Sequence, residues 1–277
     1  MRIRSRPEMS FIAKLKKTSS ENNSLLCIGI DTDIEKLPEG LAKSIDSVLE
    51  FNRRIIESTY DVVCAYKINT AFYEALGTRG FEILKSTIDL IPKDIPFILD
   101  AKRGDIRSSC EMYAKSLFTE LGADAITVNP YFGVEAIEPF VKFKDKFTFV
   151  VVLSSNQGAF DFQYLKCEGK FLFQKIAEKF INSNFENLGF VVGATRGEDI
   201  NLVRELSDEK LFLIPGIGEQ GGDLELALKH GINKDKIALI NVGRTIIYAS
   251  SSKDFAQRAR EKAIELKDKI NKIRENL

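Results

Sequence analysis

The 277-residue sequence holds a single histidine, and its four cysteines contain no CxxC pair. Ligands so dispersed lack the spacing of a zinc site, and no metal is expected. His230 follows Lys229 and precedes Gly231, the position of a helix end. Cys27 and Cys64 lie in apolar, strand-like runs, where a thiol acts as a small buried hydrophobe. Unpaired cysteines of this kind imply a reducing compartment, and a cytoplasmic location is expected. Net charge is also absent, with 40 Lys and Arg against 40 Asp and Glu. No field of one sign exists to draw in nucleic acid or a membrane surface, and neither is expected as a partner. No apolar run reaches the roughly 18 residues of a transmembrane helix. Residues 1–7 are basic but lack an apolar stretch, so no secretory signal is expected.

The chain is 44% apolar and 29% charged, a balance that suits a globular enzyme with a sizeable core. Strand-like runs and helical periodicities alternate along its length. Strands are expected at 25–30, 62–68, 96–101, 125–128, 147–153, 188–193, 211–214 and 237–242. Helical patterns fall at 41–58, 72–91 (interrupted near Gly77 and Gly80), 108–121, 134–143, 168–181, a short one after Glu198 to Leu206, 222–230 and 254–277. A leading helix at 9–18 caps the barrel bottom or lies across it. Eight β/α units with short connections and no linker predict an α/β fold, a single-domain (β/α)8 TIM barrel over residues 1–277.

Catalytic groups of such barrels sit at the C-terminal ends of the strands. The third strand runs into Asp100-Ala101-Lys102-Arg103-Gly104-Asp105-Ile106. Residues i and i+2 of a strand share a face, which puts Asp100 and Lys102 together. Gly104 then permits a sharp exit. Charges at the end of a buried strand are costly unless they pair. Alone, this pattern suits a structural ion pair beneath a loop. The other strand ends add Asp31, Lys67 with Asn69, and Ser154-Ser155-Asn156. Opposite charges 4 Å apart near a surface attract by roughly 4 kcal/mol. An alternating chain of lysines and aspartates therefore stabilises itself and fixes each ammonium. Lys102, held between carboxylates, stays protonated and ready to give up a proton. Asp100 repels an incoming anion. Both features suit expulsion of CO2 followed by protonation of the carbanion, with no electron-sink cofactor in evidence.

The last two strands lead to Pro215-Gly216-Ile217-Gly218-Glu219-Gln220-Gly221-Gly222 and to Gly243-Arg244. Barrel enzymes often bind phosphate with these two loops and a helix N-terminus. Glycines let backbone N–H groups approach an anion, and Arg244 offers a charged fork.

From Gly29-Ile30-Asp31 to Gly243-Arg244 the chain resembles the orotidine 5′-phosphate decarboxylase family, in its D-A-K-R-G-D branch. Ser155-Asn156-Gln157-Gly158, Val192-Gly193-Ala194-Thr195 and the glycine loop extended to Asp223 carry the match. Gln157 and Gly197 stand where many members have proline, and Val242 where serine is common. The resemblance implies cofactor-free conversion of orotidine monophosphate (OMP) to uridine monophosphate (UMP) in pyrimidine biosynthesis. It further implies a homodimer in which Lys67, Asp100 and Lys102 are joined by Asp105 of a second subunit. Lys102 would protonate C6, and Asp100 would lie near the departing carboxylate. Asp31, Lys67 and Asp105 would meet ribose hydroxyls, with Asn69, Ile106 and Ser109 nearby. Ser154 and Ser155 would meet the pyrimidine amide edge, with the choice between them open. Pro215 and Ile217 would line the carboxylate pocket, and Gln220, Gly243 and Arg244 would hold phosphate.

Two other functions share part of this pattern. Metal-dependent 3-keto-gulonate 6-phosphate decarboxylases and hexulose-phosphate synthases resemble the chain at D-x-K-x-x-D. They use an enediolate and want a glutamate near the first motifs. Lys67 and the Gln220 loop point away from them. A non-catalytic nucleotide-binding barrel would keep the glycine loop and Arg244 but lose members of the charged array, all of which are present.

Overall fold

Eight short apolar segments can satisfy their backbone groups only by pairing with one another, and here they do so as a closed parallel ring. In the computed structural model, which describes residues 9–195, 197–218 and 221–277, the strands are β1 (Leu26–Gly29), β2 (Ala65–Asn69), β3 (Phe97–Arg103), β4 (Ala125–Val128), β5 (Phe147–Leu153), β6 (Leu188–Val192), β7 (Phe212–Pro215) and β8 (Leu239–Val242). Each pairs with its sequence neighbour, and β8 closes on β1 with Cys27 opposite Asn241. The fold is the expected (β/α)8 barrel. Residues 1–8, Arg196, Glu219 and Gln220, which include the basic N-terminal stretch and part of the glycine loop, lie outside the described residues.

The helices of eight residues or more are α1 (Phe11–Glu21), α2 (Ile45–Thr59), α3 (Gly77–Asp89), α4 (Arg107–Ala114), α5 (Val134–Val141), α6 (Leu172–Ile181), α7 (Gly197–Arg204), α8 (Leu224–Gly231) and α9 (Phe255–Arg274). Ser44 caps α2 by accepting from the Ser47 N–H, which starts that helix later than its apolar pattern begins. A second hydrophobic layer, between strands and helices, surrounds the barrel. Inside the barrel, Phe11 and Leu15 of α1 pack against Phe147, Phe149, Leu211 and Leu213. The leading helix therefore plugs the bottom, and chemistry is left to the opposite rim.

One expected element begins differently. Residues 168–171 do not open a helix; Lys166–Cys167 pairs antiparallel with Lys170–Phe171, and α6 follows. Glu168 (φ 51°) and Gly169 (φ 80°) form the tight turn between them, the left-handed pair that two-residue hairpins favour. Among the described residues no helix is long and apolar enough to cross a membrane.

Candidate active site

Lys67 points into the barrel from β2 and is 3% exposed, while Asp100 of β3 is 8% exposed. The Lys67 ammonium lies 3.1 Å from Asp100 Oδ2 and 3.3 Å from Asp31 Oδ1. Lys102 Nζ lies 2.6 Å from the other Asp100 oxygen. The result is an unbroken chain Asp31–Lys67–Asp100–Lys102. Burial alone would raise the Asp100 carboxyl. The charges of Lys67 and Lys102, with hydrogen bonds from Lys102 and Thr127, outweigh that and hold it well below the usual carboxylate range. Burial would likewise lower the Lys67 ammonium, but Asp31 and Asp100 push it above its ordinary value. Cys27, on the β1 layer beneath, is pushed up to about 12 by burial. That suits a structural thiol.

The meeting of Asp100 and Lys102 does not come from regular pleating. Lys102 has φ 44°, a left-handed conformation that long side chains rarely adopt. The β3–β4 register shifts between Leu99 and Arg103 at the same place. Gly104 then passes so close to the Asn129 carbonyl that a Cβ there would lie 2.9 Å from its oxygen. A side chain at this position would push the two rim loops apart.

A cleft of about 180 Å³ opens over the array, lined by Asp31, Lys67, Asp100, Lys102, Ser154, Ser155, Pro215, Gly243 and Arg244 from among the expected residues. Val151, Val191, Leu213 and Ile217 supply an apolar wall. The glycine loop and the Gly243-Arg244 turn meet directly, since a Cβ on Gly218 would lie 2.5 Å from Thr245 Oγ1. Two glycine amides are used inside the loop, with Gly221 N–H bonded to Gly218 O and Gly222 N–H to Gly216 O. They are not free for an anion.

Of the expected residues that the structure describes, four lie outside this cleft. Asn69 accepts from the Ala71 N–H and so caps the turn that follows β2. Asp105 accepts from the Ile106 N–H. Ile106 is 59% exposed, and Ser109 sits on α4 beyond it.

Three further residues stand in the site without having been singled out from the sequence. Thr127 of β4 donates to Asp100 Oδ1 at 2.7 Å. Gln163 grips Ser154, accepting from its backbone N–H and donating to its hydroxyl, each at 2.8 Å. Asn241 of β8 lines the floor with its amide oxygen buried and unpartnered among the described residues. Threonine and asparagine inside apolar strands carry no local signal, and Gln163 lies in a loop whose course only the fold reveals.

A parallel barrel whose rim joins a buried lysine–aspartate chain to an apolar wall has the layout of a barrel enzyme's active site. The profile of the Orotidine 5′-phosphate decarboxylase / HUMPS family matches residues 24–259, and the chain belongs to that family. It is 46% identical over 272 residues to an orotidine 5′-phosphate decarboxylase of Dehalococcoides mccartyi, covering 96% of this chain and 99% of the relative. The structure of Leishmania donovani OMP decarboxylase superposes with a TM-score of 0.83 at 36% identity, covering 96% of this chain and 99% of that one. Leishmania donovani UMP synthase superposes with a TM-score of 0.84 at 38% identity, and there the chain spans 57% of the longer protein.

Proposed function

We infer that this chain decarboxylates OMP to UMP and CO2 without a cofactor, as a step of pyrimidine biosynthesis. The observation that carries the reading is the buried Asp100 carboxylate clamped between two ammoniums beside an apolar wall. A substrate carboxylate driven against Asp100 and apolar side chains is destabilised relative to neutral CO2. As the C6–carboxylate bond breaks, its electron pair stays on C6. The Lys102 ammonium gives that carbon a proton and recovers one from solvent. Charge stabilisation by a preorganised ammonium requires no rearrangement during the reaction.

The remaining roles follow the same reading. Asp31 and Lys67 hold ribose hydroxyls, with Asn69 at the edge of that subsite. Gly243 and Arg244 take the phosphate, joined by Gln220. Pro215 and Ile217 shape the carboxylate pocket. Ser155 makes the main base contact, because the Ser154 hydroxyl already donates to Asn156 and accepts from Gln163.

Asp105 completes the site from a second subunit. Its displacement from the cleft of its own chain supports this. So does the apolar surface around it: Ile106 and Met112 near α4, and Tyr131 and Phe132 on the turn after Asn129, are 59%, 62%, 90% and 48% exposed. The Gly104–Asn129 approach brings those two segments side by side. Exposed apolar clusters of this kind mark interaction surfaces. Ile106 and Ser109 reach the neighbouring site with Asp105. The four free cysteines fit a cytoplasmic setting.

The metal-dependent sugar-phosphate reaction is the competing reading. Purified protein given OMP, or 3-keto-gulonate 6-phosphate with magnesium, should release CO2 only from OMP. Release from the sugar phosphate alone would transfer the chain to the other branch.

A further inference from the structure

We propose that Thr127 is a positioning residue for proton delivery, its one hydroxyl fixing both the Asp100 carboxylate and the backbone of Lys102. The inference rests on the reading of Lys102 as proton donor. Thr127 is 1% exposed on β4. Its Oγ1 donates to Asp100 Oδ1 at 2.7 Å and accepts from the Lys102 backbone N–H at 3.0 Å. A hydroxyl carries one proton and two lone pairs, so it can serve both partners at once.

The position matters because of where β3 leaves regular pairing. The register with β4 shifts between Leu99 and Arg103 and is regained with Arg103 opposite Val128. Lys102 lies within that gap with φ 44°. A left-handed lysine persists only where its surroundings hold it, and such strain collects at functional sites. Thr127 holds it by the amide, while the Asp100–Lys102 ion pair holds the other end of the residue. The carboxylate is fixed just as tightly. Oδ2 receives Lys67, and Oδ1 receives both Lys102 and Thr127, so rotation of the carboxylate would break all three contacts. Without the hydroxyl, the Lys102 backbone can relax toward extended geometry and carry the ammonium away from C6. Displacements near 1 Å can lower a rate by about a hundredfold.

The test is steady-state turnover of OMP by Thr127→Val, Thr127→Ser and Thr127→Ala, with UMP affinity measured on each protein. Valine keeps the β-branched shape and removes the hydroxyl; serine keeps the hydroxyl and removes the methyl. Thr127→Val should lower kcat by about tenfold to a hundredfold with KM and UMP affinity within about threefold, the range for a lost hydrogen bond to a charged group. Thr127→Ser should recover kcat to within about threefold of wild type. If valine does not fold, the alanine–serine contrast reads the same hydroxyl. Wild-type kcat in Thr127→Val or Thr127→Ala overturns the proposal, as does serine failing alongside them. A role confined to folding would lower thermal stability while leaving kcat per folded molecule unchanged, and that result also overturns it. The underlying reading fails separately: wild-type protein would not turn over OMP, or Lys102→Ala would remain active.

Discussion

Replacing Lys67 by methionine isolates the electrostatics of the array, because methionine fills similar volume without charge. The substitution leaves Asp100, 8% exposed, with Lys102 and Thr127 among the described residues, and leaves Asp31 facing it across an apolar side chain. At separations of 3.1 and 3.3 Å the two lost attractions are each about 5 kcal/mol at an effective dielectric of about 20. Part of this is returned because the lysine need no longer be desolvated. Breaking a buried pair on one side costs about 3–5 kcal/mol net. With a urea m-value near 3 kcal/mol/M, the unfolding midpoint should fall by about 1 M at pH 7. The pH dependence is a second check. The folded-state carboxyl of Asp100 titrates below its unfolded value, so its stabilisation is present above about pH 4 and is lost as pH falls toward the folded value. The Lys67 ammonium titrates above its ordinary value, so its contribution is present below about pH 10 and is lost as pH rises through the folded value. The deficit of Lys67→Met should therefore be flat between about pH 5 and 9 and shrink below about pH 4, as Asp100 becomes protonated. Urea denaturation followed by circular dichroism at pH 3.5, 5, 7 and 9 measures both. A deficit under about 1 kcal/mol at pH 7, or one that grows toward acid, would show that the Lys67 ion pairs do not stabilise the fold.

Lys102→Ala should abolish turnover while the unfolding midpoint stays within about 0.3 M of wild type, because the Lys102 side chain is half exposed and Asp100 keeps Lys67 and Thr127. Arg244→Ala should raise KM for OMP by about tenfold to a hundredfold, the loss of a charged hydrogen-bonding fork, with a smaller change in kcat; steady-state kinetics separate the two. Asp105→Ala mixed with Lys102→Ala after subunit exchange should regain activity that neither variant has alone, since one hybrid site carries both intact residues. No recovery would place Asp105 outside a shared site.

Much of the barrel was legible because short apolar runs, buried on both faces, alternate with period-3.6 stretches and short turns, and the strand ends then followed from the fold. The Asp100–Lys102 pair was readable from spacing, yet the contact depends on a left-handed lysine and a register shift that no local pattern announces. Thr127 looked like one more β-branched strand residue, because its importance comes from β3 lying beside it. The grip of Gln163 on Ser154 spans nine residues through a loop with its own short helix, Ala159–Phe162. The glycine at position 197 has a purely tertiary reason. A Cβ there would lie 2.3 Å from that of Leu226, so the α7–α8 packing requires its absence. Asp105 could be assigned a role from resemblance but not a place, because that role needs a second chain.

The most direct measurement is loss of the orotate ultraviolet absorbance when purified protein meets OMP in excess EDTA, with the product identified by chromatography. Rapid, complete loss with stoichiometric UMP and no effect of the chelator is the expected result. Persistent absorbance with no UMP, from protein that still binds UMP, would rule out decarboxylation and leave a nucleotide-binding barrel without the chemistry.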